Sequence, residues 1–191
     1  MLRFSALGVF ALTAAFGCPA PAVADVVWSA DTARSGVTMS VSQLLVSKIA
    51  GTIPFKSATI VTNEDESAPL LVDTMLNASA LTTHDPQRDA QLRSDRFFDV
   101  ARFPTITFAS ERIVETGPRT FDIEGVLTMR GVTHPLTFNA RLAALTHDPN
   151  GARRLRYEAS ARFRRSDYGM VYGRGIVGND VKLDVVLEAV N

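Results

Sequence analysis

Between Arg153 and Arg165 the chain alternates with period 2. Leu155, Tyr157, Ala159, Ala161 and Phe163 fall on one side, and Arg154, Arg156, Glu158, Ser160, Arg162 and Arg164 on the other. A strand turns successive side chains to opposite faces, so this run has one apolar face and one wet face. A helix of the same sequence would wrap arginines into its own apolar side. The pattern recurs as Val37, Met39, Val41; Ile49, Gly51, Ile53, Phe55; Leu70, Val72, Leu76; Ile106, Phe108; Phe121, Ile123, Leu127, Met129; Leu136, Phe138, Ala140, Leu142; and Val181, Leu183, Val185, Leu187. With a first segment near Val26 to Ser29, it predicts about eight or nine strands, punctuated by turn signals at Asn63 to Ser67, Gly117-Pro118, Asp148 to Gly151 and Gly173 to Asp180.

Many one-faced strands with almost no amphipathic helix to cover them leave two architectures, a sandwich or a closed barrel. The exception is Asp85 to Asp95. Asp85 suits a helix N-cap and Pro86 the first helical position, Leu92 is expected to face the barrel, and Arg88, Arg93 and Arg96 to face out or pair with Asp89 and Asp95. Followed by Phe97 and Phe98, this short helix predicts a lid across one barrel end. A second helical turn is expected over Gln43 to Ser47. On the deduced inner faces, bulky Phe55, Phe108, Phe121, Met129, Phe138, Tyr157 and Phe163 mix with small Gly51, Ala78, Ala140, Ala159 and Ala161. That mixture fits a tunnel as well as an interdigitated core, and pattern alone favours the packed core.

Met1 to Ala24 reads as a secretory leader, with Arg3 for its positive start, an apolar stretch from Leu7 to Phe16, and Ala22-Val23-Ala24 as the small-x-small cleavage pattern. The apolar stretch is shorter than the roughly 20 residues that span a bilayer. Cleavage near Ala24 gives an exported chain beginning at Asp25, and the only cysteine, Cys18, departs with the leader. A rival reading makes Cys18 a lipid-anchored first residue, since Gly17 precedes it, although Ala15 and Phe16 fit that pattern poorly. Residues 25–191 are of single-domain size.

Lysine plus arginine and aspartate plus glutamate number 20 each. Loss of Arg3 leaves one more acid than base, so no global field recruits nucleic acid. His84, His134 and His147 are far apart and none has zinc-site spacing. There is no thiol after the leader and no Gly-x-Ser-x-Gly elbow. Gly173-Arg-Gly-Ile-Val-Gly178 lacks the Lys-Ser/Thr and the helix of a phosphate-cradling loop. The arginines from Arg153 to Arg165 are read as a solvated strand face.

The most specific stretches are RDAQLRSDRFFDVARFPTITFAS, Arg88 to Ser110, and GVLTMRGVTHPL, Gly125 to Leu136, with Asp167-Tyr168-Gly169-Met170 near the last strands. Together they resemble the signature of the YceI-like family of bacterial periplasmic proteins. The resemblance implies an all-β fold, a single antiparallel eight-stranded lipocalin-like barrel with a short helix capping one end. It also turns the balance toward a lumen that holds one isoprenoid lipid, an isoprenoid quinone or polyprenyl compound, with no obligatory cofactor, no metal and no catalysis. Phe55, Phe108, Phe121, Met129, Phe138, Tyr157 and Phe163 would then line the lumen, and Arg88, Leu92, Phe97, Phe98, Tyr168 and Met170 the lid or mouth. Arg88 has a second reading, in which Arg88-Asp89 ties the helix to a neighbouring strand. A membrane touched transiently and a second copy of the chain are further candidate partners. Relatives often carry a His-Ser pair in the first hairpin and a further histidine after it, where this chain has Ala33-Arg34-Ser35-Gly36 and then Ser42 to Gly51. Two other functions compete: a packed structural or partner module supporting a membrane redox system, and a barrel enzyme, which needs inward titratable groups that the deduced faces lack.

Overall fold

The computed structural model describes residues 25–43, 47–147 and 151–191. The leader, the Cys18 anchor, most of the turn expected over Gln43 to Ser47 and Asp148 to Asn150 therefore lie outside the described residues. Ten strands form one antiparallel sheet: β1 (Val26–Ala30), β2 (Gly36–Gln43), β3 (Ser47–Ile53), β4 (Phe55–Thr62), β5 (Pro69–Asn77), β6 (Thr105–Gly117), β7 (Thr120–Met129), β8 (Val132–His147), β9 (Arg153–Arg164) and β10 (Val177–Val190). A single helix, α1 (Pro86–Arg93), joins them.

The ten strands make eight barrel positions, because the first two staves are each broken once. β1 and β2 run in the same sense along β10, β1 at Ala189 and Val190 and β2 from Val177 to Val186. Their partners β4 and β3 are likewise successive pieces of one stave, interrupted at Pro54, which has no N–H for a ladder. At the first break a side chain replaces the backbone, since the Ser35 hydroxyl accepts from Glu188 N (2.9 Å) and donates to Glu188 O (3.1 Å). Contact of β1 with β10 closes the ring.

Strand faces follow the alternation with three exceptions. Leu70 is exposed, not inward, because the β4–β5 pairing steps from Val61–Leu71 to Thr62–Pro69 and leaves Leu70 as the extra residue of a bulge. Ala78 is buried but sits in a short 3₁₀ turn beyond β5, so it belongs to no strand face. Arg165 is not on the solvated face of β9: it follows the last strand residue and turns inward, with only 4% of its surface exposed.

The lower end, with the start of β1, the end of β10 and the Gly117–Thr120 turn, is plugged. Trp28 is fully buried there, its Nε1 donates to Thr62 Oγ1 (3.0 Å), and Arg153 lies over its ring and pairs with Glu66. At the upper end, the segment between β5 and β6 seals the wall beside β3. Thr52 and Thr82 exchange both backbone bonds (2.8 and 3.0 Å), and Ala78 N donates to Pro104 O. Asp85 caps α1 by accepting from Gln87 N and Arg88 N, with Pro86 in the first turn.

Gly125 marks the tightest approach in the wall. It faces Ser110, where β6 bulges, and a methyl there would sit 2.2 Å from Ala109 O and 2.8 Å from Phe108 Cζ. Gly125→Ala is therefore expected to destabilise the fold by about 2–3 kcal/mol through backbone displacement, read as a lowered midpoint in urea unfolding. An exposed change such as Lys56→Ala should stay within about 0.5 kcal/mol of the parent.

Candidate functional site

Two adjacent chambers occupy the barrel. The inner one has a free volume of about 80 Å³ and is walled almost wholly by hydrocarbon. Phe55, Phe108, Met129, Phe138, Tyr157 and Phe163 all line it, with Phe108 and Phe138 packed edge to face at 5.0 Å. Ala140 and Ala159 leave the gap between these rings, and aliphatic side chains such as Ile53, Ile60, Leu127 and Leu187 complete the wall. Phe121, expected in the lumen, lies below it: its ring packs edge-on to Tyr157 at 6.4 Å and helps form the floor.

Among the described residues, only Thr74 and Tyr157 bring polar side chains to this chamber. The Tyr157 hydroxyl is buried with no hydrogen-bond partner among the described residues, and burial pushes its pKa up from the usual phenol value. It stays a neutral donor. A cavity so apolar remains dry even when it is large enough for water.

The outer chamber is larger, about 500 Å³, and meets the inner one at Met39 and Phe163, which line both. Leu92, Phe97, Phe98 and Met170 form its apolar side, as expected of lid or mouth residues, while Thr83, Asp85, Gln91, Arg88 and Arg165 bring polar groups. Tyr168 does not reach it. That ring is buried behind the wall, edge-on to both His134 (5.2 Å) and Phe163 (5.3 Å), and burial together with the Asp167 charge pushes its phenol up to about 12.

Two buried charges hold the chamber's rim. The Asp89 carboxylate accepts from the Thr83 hydroxyl and N–H, both at 2.6 Å, and from the Thr82 hydroxyl at 2.9 Å. Since Thr82 is bonded to Thr52, α1 is thereby anchored to β3. Arg88 contributes by donating Nε–H to Thr83 Oγ1 (2.8 Å) and lying 3.7 Å from Asp85. Of the helix arginines, expected to face out or to pair with Asp89 and Asp95, none forms an ion pair with either acid among the described residues: Arg93 donates to the Leu81 carbonyl, and Arg96 is exposed and lies over Tyr172. Arg165 donates to the carbonyls of Gly178, Met170, Tyr172 and Val177 at 2.7 to 3.0 Å, and no carboxylate neutralises it among the described residues. Burial, then the charge of Arg174, draws its pKa below the usual guanidinium value.

Sequence reasoning missed Arg165, although it continues the inward, odd-numbered parity of Tyr157, Ala161 and Phe163 just before the glycine-rich loop. Among the described residues no three His, Cys, Asp or Glu side chains group in a way that would hold a metal ion.

Comparison with known proteins then separates this barrel from other lumen-bearing folds. The YceI-like domain profile matches residues 28–189. The chain belongs to the YceI-like family. It is 34% identical to a UPF0312 protein of Enterobacter sp. strain 638 and 31% to Protein YceI of Salmonella newport, each over 154 residues, 81% of this chain and 80% of the relative. In fold it is similar to Burkholderia cenocepacia BcnA, with a TM-score of 0.73 at 19% identity, covering 83% of this chain and 98% of that one. A polyisoprenoid binding domain from Saccharophagus degradans, implicated in plant cell wall breakdown, superposes with a TM-score of 0.59 at 15% identity, covering 85% and 97%.

Two outcomes follow from the buried polar groups of this YceI-like barrel. Tyr157→Phe removes a hydroxyl that has no partner and should raise the stability of the empty protein by about 1 kcal/mol, measured by urea unfolding. The Thr83 hydroxyl above all holds the Asp89 carboxyl below its ordinary value of 3.8, against the upward push of burial. A depressed carboxylate stabilises the fold above its unfolded pKa, and the contribution fades as pH falls through the folded one. Unfolding midpoints near neutrality and near about pH 3 should therefore converge in Asp89→Asn relative to the parent.

Proposed function

We propose that this protein is a periplasmic carrier that sequesters or transports one isoprenoid lipid, an isoprenoid quinone or polyprenyl compound, without catalysing its conversion. The observation that carries this reading is that a dry inner chamber adjoins an amphipathic outer one, with Met39 and Phe163 bordering both. The tail enters the inner chamber by displacing the side chains around its free volume of about 80 Å³, and the polar end stays in the outer one. Each methylene-sized unit buried contributes about 0.8 kcal/mol, so tail length dominates affinity. Met39 and Met129 supply flexible side chains that yield as the chain threads inward. The polyisoprenoid binding domain from Saccharophagus degradans shares the barrel, and the leader pattern over Met1 to Ala24 supports export.

The test is solvent extraction of the purified protein followed by mass spectrometry, with uptake of a polyprenyl compound from detergent as the second arm. A stoichiometric polyprenyl species is expected. A protein that arrives empty and takes up none overturns the reading and favours the packed partner module. Phe138→Asp puts a charge into the inner chamber and should abolish retention. Ala159→Leu fills the gap between the rings with a side chain and no charge, and should cut retention at least about tenfold while costing the fold about 1–3 kcal/mol.

A further inference from the structure

We propose that the loop between the 3₁₀ turn at Arg165–Tyr168 and β10 is a docking surface for anionic phospholipid bilayers, and that it seats the outer chamber against the membrane. The inference rests on the proposed carrier function and assigns it a surface. Val171, Tyr172 and Ile176 are exposed by 46%, 44% and 53%, three large apolar side chains within six residues. Scattered exposed apolar residues need no explanation, but a cluster at a cavity rim does.

The loop is held outward. Gly173 and Gly175 take the left-handed conformation (φ 69° and 85°), and Ile176 N and Val177 N both return to Gly173 O. From below, the buried Arg165 guanidinium grips the carbonyls of Met170, Tyr172 and Val177. A charge buried without a counter-ion is costly, and here it fixes a loop whose apolar side chains face solvent. Tyr172 in turn packs edge-on to Phe97 at 5.7 Å, and Phe97 lines the outer chamber. The apolar tip is thus continuous with the mouth.

Charge selects the partner. Arg96 lies over the Tyr172 ring at 4.8 Å, and both Arg96 and Arg174 are exposed and form no ion pair with a carboxylate among the described residues. On the outer face of β9, by comparison, Arg156 pairs with Glu188 and Glu158 and Arg164 with Asp167, while Arg162 has no ion pair among the described residues. Exposed apolar side chains beside free guanidiniums match an interface of acyl chains and anionic headgroups. A neutral protein patch would leave the guanidiniums without a partner.

The experiment is co-sedimentation of the full mature chain with vesicles of phosphatidylethanolamine and phosphatidylglycerol, against vesicles of phosphatidylcholine alone. Binding to the anionic vesicles is expected, weakening in high salt. Arg174→Gln should weaken it about fivefold and Arg96→Gln with Arg174→Gln about 25-fold, the weight of one and two basic residues at an anionic surface. Ile176→Ser should weaken it several-fold, and Leu70→Ser, at the opposite end, should not. No binding to anionic vesicles, equal binding by the variants, or an equal loss in Leu70→Ser overturns the proposal. Solvent extraction of the same preparations separates the two claims: bound lipid without vesicle binding removes the docking surface alone, and vesicle binding by a protein that is empty and takes up no polyprenyl compound removes the carrier function alone.

Discussion

Ring closure through β1 and β10 is the constraint on which the rest depends. Only Ser29–Val190 and Ala30–Ala189 join those strands, yet without that contact the stave formed by β1 and β2 would stand half unpaired. The side-chain bonds of Ser35 to Glu188 and the backbone bond from Asp31 N to Glu188 O extend the seam across the break in that stave. A closed sheet of this size turns one face of every strand toward a common axis, so its sequence must supply either enough bulk to fill the middle or a mixture that leaves it open. Ala140 and Ala159 among rings of Phe and Tyr are such a mixture.

Closure also explains where polarity is tolerated. The lower end is shut by Trp28 and Phe121, so no buried charge is needed along the inner chamber. The upper end must admit a connecting segment whose backbone groups cannot join the ladder, and two buried charges satisfy them. Asp89 accepts from the N–H and hydroxyl of Thr83, and Arg165 donates to the carbonyls of Met170 and Tyr172 in the following loop and of Val177 and Gly178 at the start of β10. Each charge is solvated by backbone and hydroxyl dipoles in place of water. These bonds also give the mouth its fixed shape.

The alternation told which face each residue takes, and the Asp85–Pro86 start located the helix. Six of the seven residues read as lumen-facing line the inner chamber. What alternation cannot report is height along the barrel axis: Phe121 has the right face and the wrong level. Parity also fails at a bulge, since one extra residue flips the face, which is why Leu70 points outward. Arg165 has the odd-numbered parity of Phe163, which points it inward, and it was hidden by being read together with the even-numbered arginines as one solvated face. The partition into two chambers lies where Met39 of β2 and Phe163 of β9 border both, a long-range arrangement with no local signature.

That partition gives the proposed cargo a direction. A polar headgroup entering the inner chamber would shed its water against hydrocarbon, with Thr74 and the unpartnered Tyr157 hydroxyl as the only polar groups there. Desolvating one amide-like or hydroxyl group without a replacement bond costs on the order of 1–3 kcal/mol, and a charged headgroup costs far more. A hydrocarbon end meets no such barrier and gains with each unit buried. The asymmetry of the lumen, dry at the floor and polar at the rim, would therefore thread the proposed lipid tail first and leave its headgroup beside Arg88 and Arg165, at the same end as the exposed loop at Val171, Tyr172 and Ile176.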